Sequence, residues 1–227
     1  MFDRIRRKAK SAVKRAMGDA VDDAVEKETT KVTNKYRSQA EEEMNKAEVA
    51  RYKGKKISKK VTGSLITDYE AFEKSWTKNA KDPVQSIFHF CMAAYNYSKD
   101  PEIGEPMATL ILSKKHNKKD NYSPSGFTLG KTNKYLMEHM RENINIAKSY
   151  LGGNYKEDYK FNEKKLTMGL VTANTDAKFG VVVIQSGGKD YPTPMKLAKN
   201  SSGQWKIIEF SSLATGCRVP SSVEGDF

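Results

Sequence analysis

Apolar residues recur every three or four positions between residues 64 and 151, and this spacing is typical of helices with one buried face. Asp82 and Pro83 mark one helix start, because aspartate caps free backbone N–H groups and proline suits the first helical turn. Gly152 and Gly153 mark the end of the last helix. The pattern predicts four helices, over residues 67–79, 82–98, 101–115 and about 132–151.

Beyond residue 153 the pattern changes to short runs rich in β-branched and aromatic residues. The breaks between these runs contain Asn, Asp, Gly and Ser, which favour hairpin turns. Helices followed by strands predict an α+β domain, with helices covering one face of an antiparallel sheet. The predicted strands span residues 165–173, 178–186, 194–199 and 204–213.

The first fifty residues predict a single long helix, because they contain no proline and only one glycine, Gly18. Such a helix would be about 70 Å long, well beyond a domain with a radius of gyration of roughly 15 Å. Its apolar stripe repeats every eleven residues, which favours a nearly straight bundle of helices over a heptad coiled coil. The stripe consists of Phe2, Ile5, Ala9, Val13, Ala16, Ala20 and Ala24.

The net charge of +12 is concentrated near the start of the chain. An acid-rich stretch follows the opening bases, and the segment RYKGKKISKKVTG, residues 51–63, then carries six bases and no acid. We interpret residues 51–63 as a basic linker between the helix of residues 1–50 and an α+β domain of residues 64–227. The opening bases, which we expect to contact an anionic surface or partner, are Arg4, Arg6, Arg7, Lys8, Lys10, Lys14 and Arg15.

Cations destabilise a helix N-terminus, so the opening bases call for compensating negative charge. Three interpretations of the helix stay open: docking on its own domain, association with itself or another protein, and binding of residues 1–17 to an anionic membrane surface. We favour the acidic residues of a neighbouring copy or partner as the compensating charge. Nucleic acid is a weaker candidate, suggested by the lysine-rich loop around His116.

No residue set identifies a reaction. His89, His116 and His139 are far apart in sequence, no spacing matches a metal site, and phosphate-binding loops and serine-hydrolase motifs are missing. We predict no cofactor, no metal and no catalytic residue. The alternative is a small hydrolase or isomerase that uses Asp190, His89 or His139 in a pocket.

Asp190 is the most distinctive polar residue, because it follows two glycines and precedes Pro192. It is a candidate ligand carboxylate at a sheet edge, although an aspartate that caps the N–H groups of its own turn is the more common arrangement.

Two features of the sequence indicate the cellular compartment of the protein. The two cysteines form no disulfide pattern, and no apolar run approaches the roughly 20 residues needed to cross a bilayer. We therefore expect a cytoplasmic protein, attached to a membrane only if residues 1–17 bind one.

Two resemblances add to this interpretation. The layout of helices and strands resembles the half-cone of cystatin-like and nuclear-transport-factor-like domains, a likeness of fold that implies no function. The segments Ser149-Tyr150, SGGKDYPTPMKL and GQWKIIEFSSL resemble an uncharacterised bacterial family of domains of unknown function, with a Ser-Gly-Gly-x-Asp-x-Pro turn and a tryptophan in the last strand. That family implies no reaction. The sequence favours a non-enzymatic interaction or assembly protein.

Overall fold

The computed structural model describes residues 51–224, so the predicted helix of residues 1–50, with its apolar stripe and opening bases, lies outside the described residues. The described helices are α1 (Tyr69–Asn79), α2 (Pro83–Lys99), α3 (Pro101–Ile111), α4 (Lys131–Glu142), α5 (Asn145–Ser149) and α6 (Ser211–Ala214). The strands are β1 (Lys59–Gly63), β2 (Asn117–Lys119), β3 (Phe127–Leu129), β4 (Leu166–Thr175), β5 (Phe179–Gln185), β6 (Thr193–Lys199) and β7 (Trp205–Glu209).

Aspartates begin the first three helices. Asp68 accepts the N–H of Ala71 at 2.8 Å, and Asp82 accepts the N–H of Val84 at 2.8 Å. Asp100 plays the same part for α3, and prolines occupy the first positions of α2 and α3. Side-chain caps and prolines are local devices, so the starts of these helices match the predicted ones closely.

The strands form a five-stranded antiparallel sheet in the order β1-β4-β5-β6-β7. This arrangement confirms the predicted α+β class, with helices preceding an antiparallel meander. The β4–β5 turn is closed by Asp176, whose carboxylate accepts the N–H groups of Lys178 and Phe179 at 2.7 Å each. A separate hairpin pairs β2 with β3.

Four elements differ from the sequence-based expectation. The strand predicted over residues 204–213 ends at Glu209, and Ser211–Ala214 form helix α6 instead. Residues 59–63, assigned to the basic linker, form edge strand β1, in which Val61 is buried opposite Met168. A run with a single apolar residue facing the core carries too little pattern to predict a strand. The helix predicted over 132–151 is broken near Asn143 into α4 and α5, and α3 ends at Ile111 rather than at 115.

Helix α2 is the centre of the core, as its broad apolar face predicts. It contacts strands β4, β5 and β7 and helices α1, α3, α4 and α5. Ile87 and Phe90 are fully buried, and so are Met107 of α3 and Ile184 of the sheet. Fully buried side chains thus fill the space between α2 and the sheet. No described helix is long and apolar enough to span a bilayer.

Candidate functional site

Asp190, the candidate ligand carboxylate, lies in an exposed turn and pairs with Arg218 of the C-terminal segment. Its two carboxylate oxygens lie 2.8 and 2.9 Å from the Arg218 guanidinium. Arg218 also donates to the Tyr155 hydroxyl at 2.9 Å, and its backbone N–H donates to the Gly188 carbonyl at 2.9 Å. In this structure Asp190 therefore holds residues 216–221 against the turn between β5 and β6.

His89 is buried and hydrogen-bonded on both ring nitrogens. Its Nδ1 lies 2.8 Å from the Gln85 carbonyl oxygen, which can only accept, so Nδ1 carries the proton. Its Nε2 then accepts from the Ser75 hydroxyl at 2.9 Å. Burial lowers the pKa of this imidazole, opposed in part by the Gln85 carbonyl. His139 lies on α4 with its Nδ1 3.8 Å from a Glu142 carboxylate oxygen.

Asp190 lies in the turn before β6, His89 on α2 and His139 on α4. None of the three lines either of two clefts found in residues 51–224. One of these clefts, which we call the lysine groove, has a volume of about 600 Å³. It is bounded by α1, the end of α3, the loop before β3, and the β6–β7 hairpin.

Lys206 of β7 places its ammonium group in the wall of the lysine groove. The ammonium donates to the Leu110 carbonyl and lies 4.1 Å from the centroid of the Trp76 ring. Burial, and to a smaller extent the nearby Lys114, lowers the pKa of Lys206 from 10.5 to about 8. No carboxylate of residues 51–224 forms an ion pair with it. Lys206 is thus a half-buried cation without a counter-ion in this part of the chain.

Two more lysines line the lysine groove, and each is positioned by an aromatic ring. The Lys114 ammonium lies 5.3 Å from the Phe127 ring centroid, and the Lys199 ammonium lies 4.7 Å from that of Trp205. Cation–π contacts of this kind orient an ammonium group without neutralising its charge. Glu73 is the single acid in the lining. The lysine groove therefore carries an excess of positive charge at neutral pH.

Comparison with known families assigns most of the described residues to one family. Residues 64–221 match the model of a family described as Domain of unknown function (DUF6935), which spans more than half of the chain. The chain belongs to this family. Neither the search of curated proteins nor that of solved structures finds a matching protein.

The matched DUF6935 region covers the helices as well as the sheet, so it extends beyond the C-terminal segments that carry the sequence resemblance. It begins directly after β1, which nevertheless completes the sheet by pairing with β4. All of the residues that line the lysine groove fall within the DUF6935 region.

The lysine groove was not predicted from the sequence. Lys206 lies within the strand predicted over residues 204–213, but the carbonyl that binds its ammonium belongs to a residue 96 positions earlier. A lysine between Trp205 and Ile207 is the available hint, since lysine is rarely buried and is depleted in strands. Metal-ligating groups do not cluster anywhere in residues 51–224.

Proposed function

We propose that this chain is a non-enzymatic interaction protein whose DUF6935 domain binds a carboxylate-bearing segment of a partner protein in the lysine groove. The observation that carries this proposal is the ammonium group of the half-buried Lys206, which has the Leu110 carbonyl as its described acceptor and no described counter-ion. A buried charge is costly unless it is paired, so a site of this kind favours an incoming anion.

A purely structural role for Lys206 is the competing explanation. Its ammonium has three N–H donors, and the Leu110 carbonyl accepts one of them. The contact with Trp76 offsets part of the desolvation but offers no further acceptor. A ligand carboxylate would supply the missing acceptors and the missing negative charge together.

The shape and walls of the lysine groove suit a peptide segment. Its volume of about 600 Å³ lies within the range of about 300–1,000 Å³ that is usual for ligand sites. Leu110, Phe127 and Ile208 offer apolar contact beside the lysines. We expect a segment in which acidic and aliphatic side chains alternate.

The second part of the proposal concerns the first fifty residues. We propose that they form a helix that assembles copies of the chain or docks it onto a larger complex, as the eleven-residue stripe and the segregated charge suggest. Binding of residues 1–17 to an anionic membrane surface is the alternative role. The free thiols of Cys91 and Cys217 support a reducing compartment such as the cytoplasm.

Two finer assignments belong to the same proposal. The strand order, with β1 before the helices and a four-stranded meander after them, supports the cystatin-like or nuclear-transport-factor-like half-cone. The Ser186 to Pro192 turn and Trp205 are proposed as the hallmarks of the bacterial family. An enzyme of the hydrolase or isomerase type is the weaker alternative, because Asp190 is engaged by Arg218 and His89 lies in the core.

Binding in the lysine groove is tested by fluorescence anisotropy with a short labelled peptide that alternates Glu with Leu. A counterpart with Gln for each Glu shows whether charge is recognised. Lys206→Met should weaken binding by about tenfold or more, because a hydrogen bond to a charged group contributes about 1.5–3 kcal/mol. Lys178→Met is the matched control, since Lys178 is exposed in the β4–β5 turn and does not line the lysine groove. Equal affinity for the two peptides, or equal loss in the two variants, would contradict the proposal.

Self-assembly is tested by light scattering on the full chain and on residues 51–227. The truncation starts at 51 because removal of residues 59–63 would take away β1. We expect a larger assembly for the full chain and a monomer for the shorter one; equal monomeric masses would refute assembly through residues 1–50. Sedimentation with anionic and neutral vesicles separates this role from membrane binding.

A further inference from the structure

Two of the three segments that carry the family resemblance, Ser149-Tyr150 and SGGKDYPTPMKL, contribute to a second cleft, which shares no lining residue with the lysine groove. This cleft, which we call the glycine cleft, has a volume of about 360 Å³. Four glycines contribute to its lining, and so do Ser149 and Ser186. The proposed function makes no use of it. Its lining comes from the end of α5, the loops on both sides of Phe161, strands β1 and β4, and the turn after β5.

Close backbone contacts explain why glycines line this cleft. A Cβ on Gly187 would lie 2.2 Å from the Gly153 carbonyl oxygen, and one on Gly153 would lie 2.9 Å from the Tyr159 carbonyl oxygen. Gly152 has a φ of +113°, which other residues rarely adopt. The wall of the cleft is therefore made largely of main chain.

Hydrogen bonds hold this wall in place. The Ser186 hydroxyl donates to the Ser149 hydroxyl at 2.7 Å, and the Gly188 N–H donates to the Ser186 oxygen at 2.9 Å. The Gly187 N–H donates to the Ser149 carbonyl at 2.8 Å. Both serines are buried, so the cleft is built before any ligand arrives.

Four free side-chain groups of the glycine cleft are donors, whereas the Gln185 Oε1 is an acceptor without a described partner, because both hydrogen bonds of that side chain come from its Nε2. The side-chain oxygens of Asn154 and Asn162 accept backbone N–H groups at 3.2 and 2.9 Å, which leaves the two NH₂ groups without a partner in the described structure. The ammonium groups of Lys60 and Lys165 likewise have no described partner. No acidic residue lines the cleft. The neighbouring Glu163 is already engaged by Tyr95 and Lys99.

We propose that the glycine cleft binds the phosphate group of a small phosphomonoester. Two ammonium groups balance the two negative charges that such an ester carries above about pH 6, and two amide NH₂ groups supply further donors. Glycines let the ligand approach the main chain closely, as in other phosphate sites. Ile57, Leu151 and Phe161 give the organic part of the ester an apolar contact.

The proposal is tested by isothermal titration of the full chain with phenyl phosphate, inorganic phosphate and benzoate. We expect phenyl phosphate to bind more tightly than inorganic phosphate, and benzoate to bind weakly at this site. The double variant Lys60→Met/Lys165→Met should weaken phenyl phosphate binding by at least about tenfold, and Lys60→Arg/Lys165→Arg should keep most of it. Both lysines are exposed, so the variants should melt at the temperature of the wild type.

Lys206→Met separates this inference from the proposed function. It should leave phenyl phosphate binding unchanged. Absence of phenyl phosphate binding, or equal affinity in the wild type and the double methionine variant, would overturn the proposal. Loss of binding in Lys206→Met alone would do so too, because the phosphate would then occupy the lysine groove. Tighter binding of inorganic phosphate than of the ester would contradict the assignment to a phosphomonoester.

Discussion

The ammonium group of Lys206 should make the stability of the protein depend on pH in the alkaline range. In the folded protein its pKa is about 8, whereas an exposed lysine titrates near 10.5. Below pH 8 the group is protonated in both the folded and the unfolded state, and the folded state bears the full penalty of a buried charge. Between about pH 8 and 10.5 the unfolded state binds more protons than the folded state, so the free energy of unfolding rises with pH.

The size of this effect follows from the difference between the two pKa values. The fall from 10.5 to about 8 corresponds to about 3 kcal/mol, of which about 2 to 3 kcal/mol should be recovered between about pH 7 and pH 10. Lys206→Met keeps the aliphatic body of the side chain and removes the titrating group. The free energy of unfolding of the wild type should therefore gain this amount relative to the variant over that range.

Urea denaturation followed by far-ultraviolet circular dichroism, near pH 7 and near pH 10, measures the two free energies. Taking the difference between wild type and variant cancels the titration of the other lysines and tyrosines. Lys178→Met is the control for the loss of one positive charge from an exposed turn. Parallel stability curves for the wild type and Lys206→Met would refute the claim that the Lys206 charge is desolvated.

Three further predictions concern other parts of the fold. Gly104→Ala should lower the free energy of unfolding, measured in thermal melts, by about 2 kcal/mol or more, because the new Cβ would lie 2.0 Å from the backbone nitrogen of Tyr97 in α2. Gly216→Ala is the control and should cost far less, because the space around Gly216 is open. The imidazole of His89 should titrate below its ordinary value of 6.5 in nitrogen-15 NMR, so that stability falls as the pH drops below about 6.5; a normal titration would contradict its burial. Asp190→Asn should speed hydrogen exchange at the Arg218 amide while leaving the core amides unchanged, and equal exchange in the two proteins would show that the pair does not hold this segment.

Features that depend on near neighbours along the chain could be predicted without coordinates. The start of α2 depends on Asp82 and Pro83, and its burial depends on apolar residues three and four positions apart. The turns between the last four strands depend on short polar segments such as the one around Asp176. Caps, periodicity and turns act within a few residues, so their physical cause is visible in the sequence.

Tertiary structure alone decided the remaining features. Strand β1 exists because Lys59–Gly63 meets a partner more than a hundred residues later, and the glycine cleft exists because Gly187 contacts Gly153. The altered pKa of Lys206 depends on burial against Leu110 and Trp76, which come from two other elements. Burial and long-range pairing are properties of the folded chain as a whole. Composition and spacing therefore predict most helices and strands but not the lysine groove or the glycine cleft.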